Sequence, residues 1–216
     1  MKDFADNDDL NTRRLYEAVG PDWLMNRADP AYTDALLNVL RDYLKPCDKI
    51  LDICCGYGRL TIPLVKDGYD VTGIDISDVL IFKGISLFQE YGIPQRPLLV
   101  ANMKELPFHN EMFDSCFCVW ASFNFLITGS EQLTFLQEMH RILKKGGSAL
   151  IECPLHQEPD DSKHIYVENM SYLYYPITMD ELKNVGSKSP FEQCDVRVES
   201  IAGRSRTICL LRKSNV

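Results

Sequence analysis

The chain has 216 residues, 45% apolar and 25% charged, with a formal net charge of −8. That length and balance suit one ordinary domain with a full core and exclude a disordered chain. The acidic surplus argues against nucleic acid as the main ligand, since duplex binding needs a basic footprint, and is compatible with a small-molecule partner.

Residues 1–30 read as a polar N-terminal arm or short helices with scattered aromatics; MKDFADNDDLNTRR lacks the apolar stretch of a secretory signal. From Tyr32 to Leu44, Ala35, Leu36, Val39, Leu40 and Tyr43 recur at three and four, which predicts an amphipathic helix that Pro46 ends. Then an alternation begins. KILDIC (Lys49 to Cys54) reads as a strand, Arg59 to Lys66 as a helix and DVTGID (Asp70 to Asp75) as the second strand. Asp78 to Tyr91 reads as a helix, PLLVA (Pro97 to Ala101) as the third strand, and Met112 to Trp120 holds the fourth. Ser130 is placed to cap a helix running to Leu143, Gly146-Gly147 to end it, and SALIECP (Ser148 to Pro154) is the fifth strand. Such an alternation predicts a parallel sheet covered on both faces.

The tail breaks the rhythm. Asp195 to Ser200 and Ser205 to Arg212 alternate around Ala202-Gly203, which predicts an antiparallel hairpin at the sheet edge. Residues 155–186 are long, polar and aromatic, with Tyr166, Tyr172, Tyr174 and Tyr175, and read as a substrate lid within a single domain. Eight cysteines without a signal peptide read as reduced thiols of a cytoplasmic protein. No Cys-x-x-Cys pair suggests a metal, and Cys116 and Cys118 are spaced for one strand face. No run approaches the roughly 18 apolar residues of a membrane span.

ILDICCGYGRLTIPL carries the chemistry. An acidic residue, Asp52, sits in a buried strand; Gly56 and Gly58 let the chain turn and approach a ligand closely; the next helix presents its N-terminal N–H groups. Asp75 then ends the second strand, where a carboxylate can accept both hydroxyls of a ribose.

Here the chain resembles the class I S-adenosylmethionine-dependent methyltransferases. LDICCGYGR is similar to their Asp-x-Gly-x-Gly motif, VTGIDIS to their ribose motif and ANMKELPF to their adenine segment. FDSCFCVWASFNFL resembles their fourth strand and its loop, and HRILKKGGSALIE their Gly-Gly turn and fifth strand. The resemblance covers about residues 32–154 and the terminal hairpin. It implies a Rossmann-like three-layer sandwich whose mostly parallel seven-stranded sheet ends in an antiparallel C-terminal hairpin. It also implies methyl transfer from S-adenosyl-L-methionine to an N or O atom of a small molecule, leaving S-adenosyl-L-homocysteine, by a monomer or homodimer. In that reading Asp52 lies near the methionyl amino group, Gly56 and Gly58 let the backbone pass, and Asp75 holds the ribose. Ile76 and Met103 pack on the two faces of adenine, with Asn102 at its N6 edge. Cys54 departs from the family's first Gly and Asn102 from its Asp, which adjusts cofactor affinity.

Trp120 follows the fourth strand, where open α/β sheets bind ligands, and an aromatic face suits a sulfonium. Phe123, Asn124, Tyr172 and Tyr174 are candidates for the acceptor pocket, and Tyr16 and Trp23 for closing over the cofactor from the arm. Among the histidines His140 reads as structural and His109 as exposed. His156, just past the fifth strand, is the candidate base. Two rivals share the fold. A nicotinamide-dependent oxidoreductase wants a third Gly where Thr61 stands and a first where Cys54 stands, while a non-catalytic cofactor-binding module shares every feature read so far.

Overall fold

In the central strands successive side chains point to opposite faces, and helices cover both. Within Lys49–Ile53 (β1), Ile50 packs on one face and Leu51 and Ile53 on the other. The first face meets Pro30–Tyr43 (α2) through Tyr32, Leu36, Leu37 and Leu40. Asp29 starts that helix by accepting from the N–H of Ala31 (3.0 Å) and of Tyr32 (3.3 Å), and Pro30 occupies its first turn. The second face meets Gly129–Ile142 (α5) through Phe135, Leu136, Met139 and Ile142, and Met179–Lys188 (α6) through Leu182 and Val185.

The protein is described by a computed structural model covering residues 8–94, 98–157, 163–167 and 170–216, with backbone alone for 8–11, 163–167 and 170–172. The remaining strands are Asp70–Asp75 (β2), Leu98–Val100 (β3), Phe113–Cys118 (β4), Leu143–Pro154 (β5), Lys163–Val167 (β6), Met170–Tyr174 (β7), Gln193–Ile201 (β8) and Arg204–Arg212 (β9). Seven form one sheet in the order β3-β2-β1-β4-β5-β9-β8. The first five run parallel, and β9 is antiparallel to both β5 and β8. This is the expected three-layer sandwich with its terminal hairpin. The strand order reverses between β1 and β4, which opens a crevice at their carboxyl ends. Thr61–Lys66 (α3) and Asp78–Glu90 (α4) follow β1 and β2 and present their N-termini there.

Three expectations change, while the N-terminal arm takes its helical alternative, Asp8–Arg27 (α1), broken at Gly20 (φ 73°, ψ 167°) before Pro21. It is tied to α4 by Arg13–Asp78 at 2.8 Å and Asp22–Lys83 at 3.6 Å. Thr128, not Ser130, caps α5: its Oγ1 accepts from the Glu131 N–H, and Glu131 accepts from the Thr128 N–H, a reciprocal box. Gly146-Gly147 lies inside β5 and does not end the helix, because Leu143 already pairs with Phe113 and the register slips before Ser115 meets Ser148. A Cβ on Gly147 would sit 2.8 Å from Lys144 O and 2.9 Å from Asp114 O, so only glycine fits that bulge. Finally, residues 155–186 are not one loop: they carry β6 paired with β7 and the start of α6.

Candidate cofactor cleft

At the carboxyl ends of β1, β2 and β4 lies a cleft. Asp52, Cys54, Cys55, Gly56, Tyr57 and Arg59 form its floor; Asp75, Ile76 and Leu80 one wall; Ala101, Asn102 and Met103 a second. Val119, Trp120, Ser122 and Phe125 form the third, and Thr12, Tyr16 and Leu24 of α1 the cover. All nine residues expected to surround a cofactor therefore meet here except Gly58, whose φ of 82° shapes the turn beneath, where a Cβ would crowd Ile62 at 3.3 Å.

Asp75 is held by main chain. Its Oδ1 accepts from the Ser77 N–H and its Oδ2 from the Gly56 N–H, each at 2.9 Å. Burial raises its pKa, and the backbone N–H groups of Ser77, Gly56 and Ile76 oppose that rise. Each oxygen keeps a second lone pair. Asp52 is 2% exposed, and its Oδ2 accepts from Thr61 Oγ1 at 2.7 Å. Burial pushes its carboxyl up to about 7, against the pull of Thr61 and of Arg59. Cys54 has φ 64°, in the left-handed region that favours glycine, and its Sγ lies 3.5 Å from Met103 Sδ. The departure from glycine thus places a thiol in the cleft at the cost of backbone strain. Asn102 Oδ1 accepts from the Lys104 N–H at 2.9 Å, closing a tight turn that presents Met103.

Sequence reasoning missed what stands behind Trp120. Arg59 lays its guanidinium over the Trp120 ring, 4.0 Å from the centroid, and donates to Thr33 Oγ1 at 2.8 Å. The aromatic face expected to meet a cation therefore already meets one from the protein. Burial lowers the Arg59 pKa. Glu152 of β5, 0% exposed, accepts from the Trp120 N–H through Oε2 at 2.6 Å. Its Oε1 accepts from Tyr32 Oη at 2.6 Å and from Arg206 Nε of β9. Burial raises the Tyr32 phenol pKa, and the Glu152 charge adds to it. One signal was available: Glu152 is a lone charge within the apolar run ALIEC.

Other candidates lie elsewhere. Phe123 is wholly buried and packs on Phe135, centroids 5.9 Å apart, so it belongs to the core and not to an acceptor pocket. Asn124 is also buried. Its Nδ2 donates to Tyr175 O at 2.7 Å and its carbonyl accepts the Tyr175 N–H, which staples the segment after β7 to the turn Ser122–Phe125; its Oδ1 is buried without a hydrogen-bond partner. His156 faces a second, shallower concavity with Thr178, Met179, Glu181 and Asn184, because the chain leaving β5 bridges toward Thr178 and turns away from the crevice. There its Nε2 lies 3.3 Å from Tyr174 Oη. The side chain of Tyr172 lies outside the described residues. Tyr16 lines the cleft, whereas Trp23 stacks under Arg27 at 4.3 Å. His140 meets the edge of Phe191, as a structural residue would.

Comparison with known proteins agrees with this geometry. Residues 50–147 match the family described as "Methyltransferase domain". A demethylmenaquinone methyltransferase from Lysinibacillus sphaericus is 37% identical over 108 residues, 48% of this chain and 43% of that protein. The chain spans less than two thirds of the length of the curated relatives it matches. The crystal structure of the 1,6-didemethyltoxoflavin-N1-methyltransferase of Burkholderia thailandensis superposes with a TM-score of 0.74 at 20% identity, covering 95% of this chain and 88% of that one. The cyclase SpnF superposes with 0.69 at 18% identity, covering 84% and 81%. The fold alone therefore accommodates more than one chemistry. Among the described residues no helix is long and apolar enough to cross a membrane.

Proposed function

We propose that this chain, whose residues 50–147 match a methyltransferase domain, binds S-adenosylmethionine in this cleft and transfers the methyl group to an N or O atom of a small molecule. The observation that carries the reading is Asp75: a buried carboxylate at the end of β2, fixed by two backbone N–H groups, with lone pairs left for a vicinal diol. Asp52 would hold the methionyl ammonium, and Arg59, whose partners are Thr33 and Trp120, would suit the methionyl carboxylate. Ile76 and Met103 would sandwich the adenine, with Asn102 at its edge. When bound, the sulfonium supplies an activated methyl carbon.

This chain's own part is to bind, orient and exclude water. The apolar lining of Leu24, Leu60, Val119, Trp120 and Phe125 strips solvent from the reacting centre, and α1 closes over it. His156 faces the second concavity, so this reading rests on orientation of the acceptor by the cleft. Residues 155–186 serve as a substrate lid in this reading, with Tyr174 on it. A second reading of the acceptor comes from relatives named demethylmenaquinone methyltransferase; the same apolar lining favours an aromatic, poorly soluble acceptor of that kind.

The test is thermal shift with S-adenosylmethionine, S-adenosylhomocysteine and NADH in parallel, then S-adenosylhomocysteine formation against an acceptor panel. A ligand at about 100 times its dissociation constant adds about 2.7 kcal/mol to the folded state. The sulfur compounds should stabilise and NADH should not. Stabilisation by NADH alone overturns the proposal, and tight cofactor binding with no product from any acceptor leaves a non-catalytic binding module.

A further inference from the structure

Trp120 and Ala121 are consecutive non-glycine residues at positive φ, 59° and 66°. L-residues adopt that conformation rarely, and a pair of them persists only where the surroundings over-determine it. The holder stands on the neighbouring strand. Glu152 Oε2 accepts from the Trp120 N–H at 2.6 Å, and the Glu152 carbonyl accepts from the Ala121 N–H at 3.4 Å. Both residues of the strained pair are therefore gripped by one residue.

A wholly buried carboxylate is an expensive grip. An apolar side chain often fills a central strand as cheaply or more so, and in some proteins a buried polar group is what fixes a unique geometry. Here the charge is met by Arg206 from β9 and the Tyr32 hydroxyl from α2, both on Oε1, which leaves Oε2 for Trp120. Trp120 in turn lines the cleft and carries the Arg59 guanidinium on its face.

We propose that Glu152 is a positioning residue of the cleft: supported by Arg206 and Tyr32, it locks the Trp120–Ala121 turn that forms the wall beside the reacting centre. It acts through Trp120 and touches no ligand. The terminal hairpin thereby takes part in shaping a site to which it contributes no lining residue. The inference deepens the reading of the cleft as a cofactor site and rests on it.

The experiment uses the full chain with Trp23→Phe, so that Trp120 is the one remaining indole of the two in the sequence. Glu152→Gln, Tyr32→Phe and Arg206→Met are compared for melting temperature, for S-adenosylhomocysteine affinity by calorimetry well below melting, and for Trp120 emission and acrylamide quenching. Glu152→Gln should weaken S-adenosylhomocysteine about tenfold, the scale of one charge-assisted hydrogen bond, and should red-shift Trp120 and raise its quenching. Lower melting with unchanged affinity and emission would mark a merely structural residue and overturn the proposal. If Glu152→Gln does not fold, Tyr32→Phe decides: a smaller change in the same direction supports the proposal, and none overturns it. If the parent protein binds no S-adenosylhomocysteine, the cofactor reading fails, and Trp120 emission in the free protein judges Glu152 by itself.

Discussion

Two buried carboxylates stand behind different parts of the cleft wall, and they are held in different ways. Asp75 takes its bonds from main-chain N–H groups of the two turns beside it, Gly56 and Ser77. Glu152 takes its bonds from Tyr32, Trp120 and Arg206, which arrive from α2, the end of β4 and β9. A carboxylate held by backbone is insensitive to its neighbours' side chains and vulnerable only at itself. One held by two distant side chains, with a single main-chain N–H from Trp120, shares its vulnerability among the residues that contribute. The first arrangement suits a contact used directly; the second suits a frame.

The sharpest way to break the contrast is Asp75→Ala. Losing a charge-assisted acceptor for two hydroxyls should weaken S-adenosylhomocysteine by about 100-fold or more, with circular dichroism unchanged, since β1–β2 pairing does not need that carboxylate. An undiminished calorimetric affinity would refute the ribose assignment. On the other side, Arg206→Met strands a buried charge and should cost about 3 kcal/mol in urea unfolding; a cost near zero would mean that the pair contributes nothing to the frame.

Asp52 sharpens the comparison through pH. Its carboxyl lies at about 7 in the free protein, raised by burial. A ligand ammonium selects the ionised form, so affinity should climb as pH rises from 6 to 8, by up to about tenfold per unit below 7 and levelling above. The stability sign is opposite. A carboxyl raised on folding contributes stability that is lost as pH rises through 7, so Asp52→Asn should raise the melting temperature of the free protein at pH 8 while flattening the pH profile of binding. A pH-independent wild-type affinity would remove Asp52 from the ammonium site.

The smallest effects serve as controls. Thr128→Ala removes the α5 box, whose residues are not among those lining the cleft, and should cost about 1 kcal/mol of stability without altering cofactor affinity. Cys54→Gly relieves a left-handed residue but loosens the unfolded chain, and should move stability by less than about 1 kcal/mol.

The same contrast explains what could be read from the chain beforehand. The Asp75 side lies in continuous stretches, strand then turn then helix, and period and glycine placement reveal those directly; β1 to β4, α4 and the terminal hairpin follow the pattern closely. The Glu152 side joins positions up to 120 residues apart, which no local pattern contains. Thr128 with Glu131, and Thr178 with Glu181, were legible capping boxes that the more prominent Ser130 and aromatic content obscured. His156 fails for a topological reason: the strand-end rule holds for parallel strands feeding the crevice, whereas the chain after β5 is drawn aside to pair near Thr178. The helix α1 was legible only as one of two alternatives, because Gly20-Pro21 interrupts its period.

That interrupted helix has a kinetic consequence. Thr12, Tyr16 and Leu24 roof the cleft, yet the ion pairs fastening α1 to α4, Arg13–Asp78 and Asp22–Lys83, are partly or largely open to solvent. Pairs of that kind are worth less than about 1 kcal/mol and are screened by salt. The roof therefore rests on the buried packing of Leu15 and Leu24 together with salt-sensitive ion pairs, and the residence time of a bound ligand should shorten slightly as ionic strength rises, even while the floor beneath it stays unchanged.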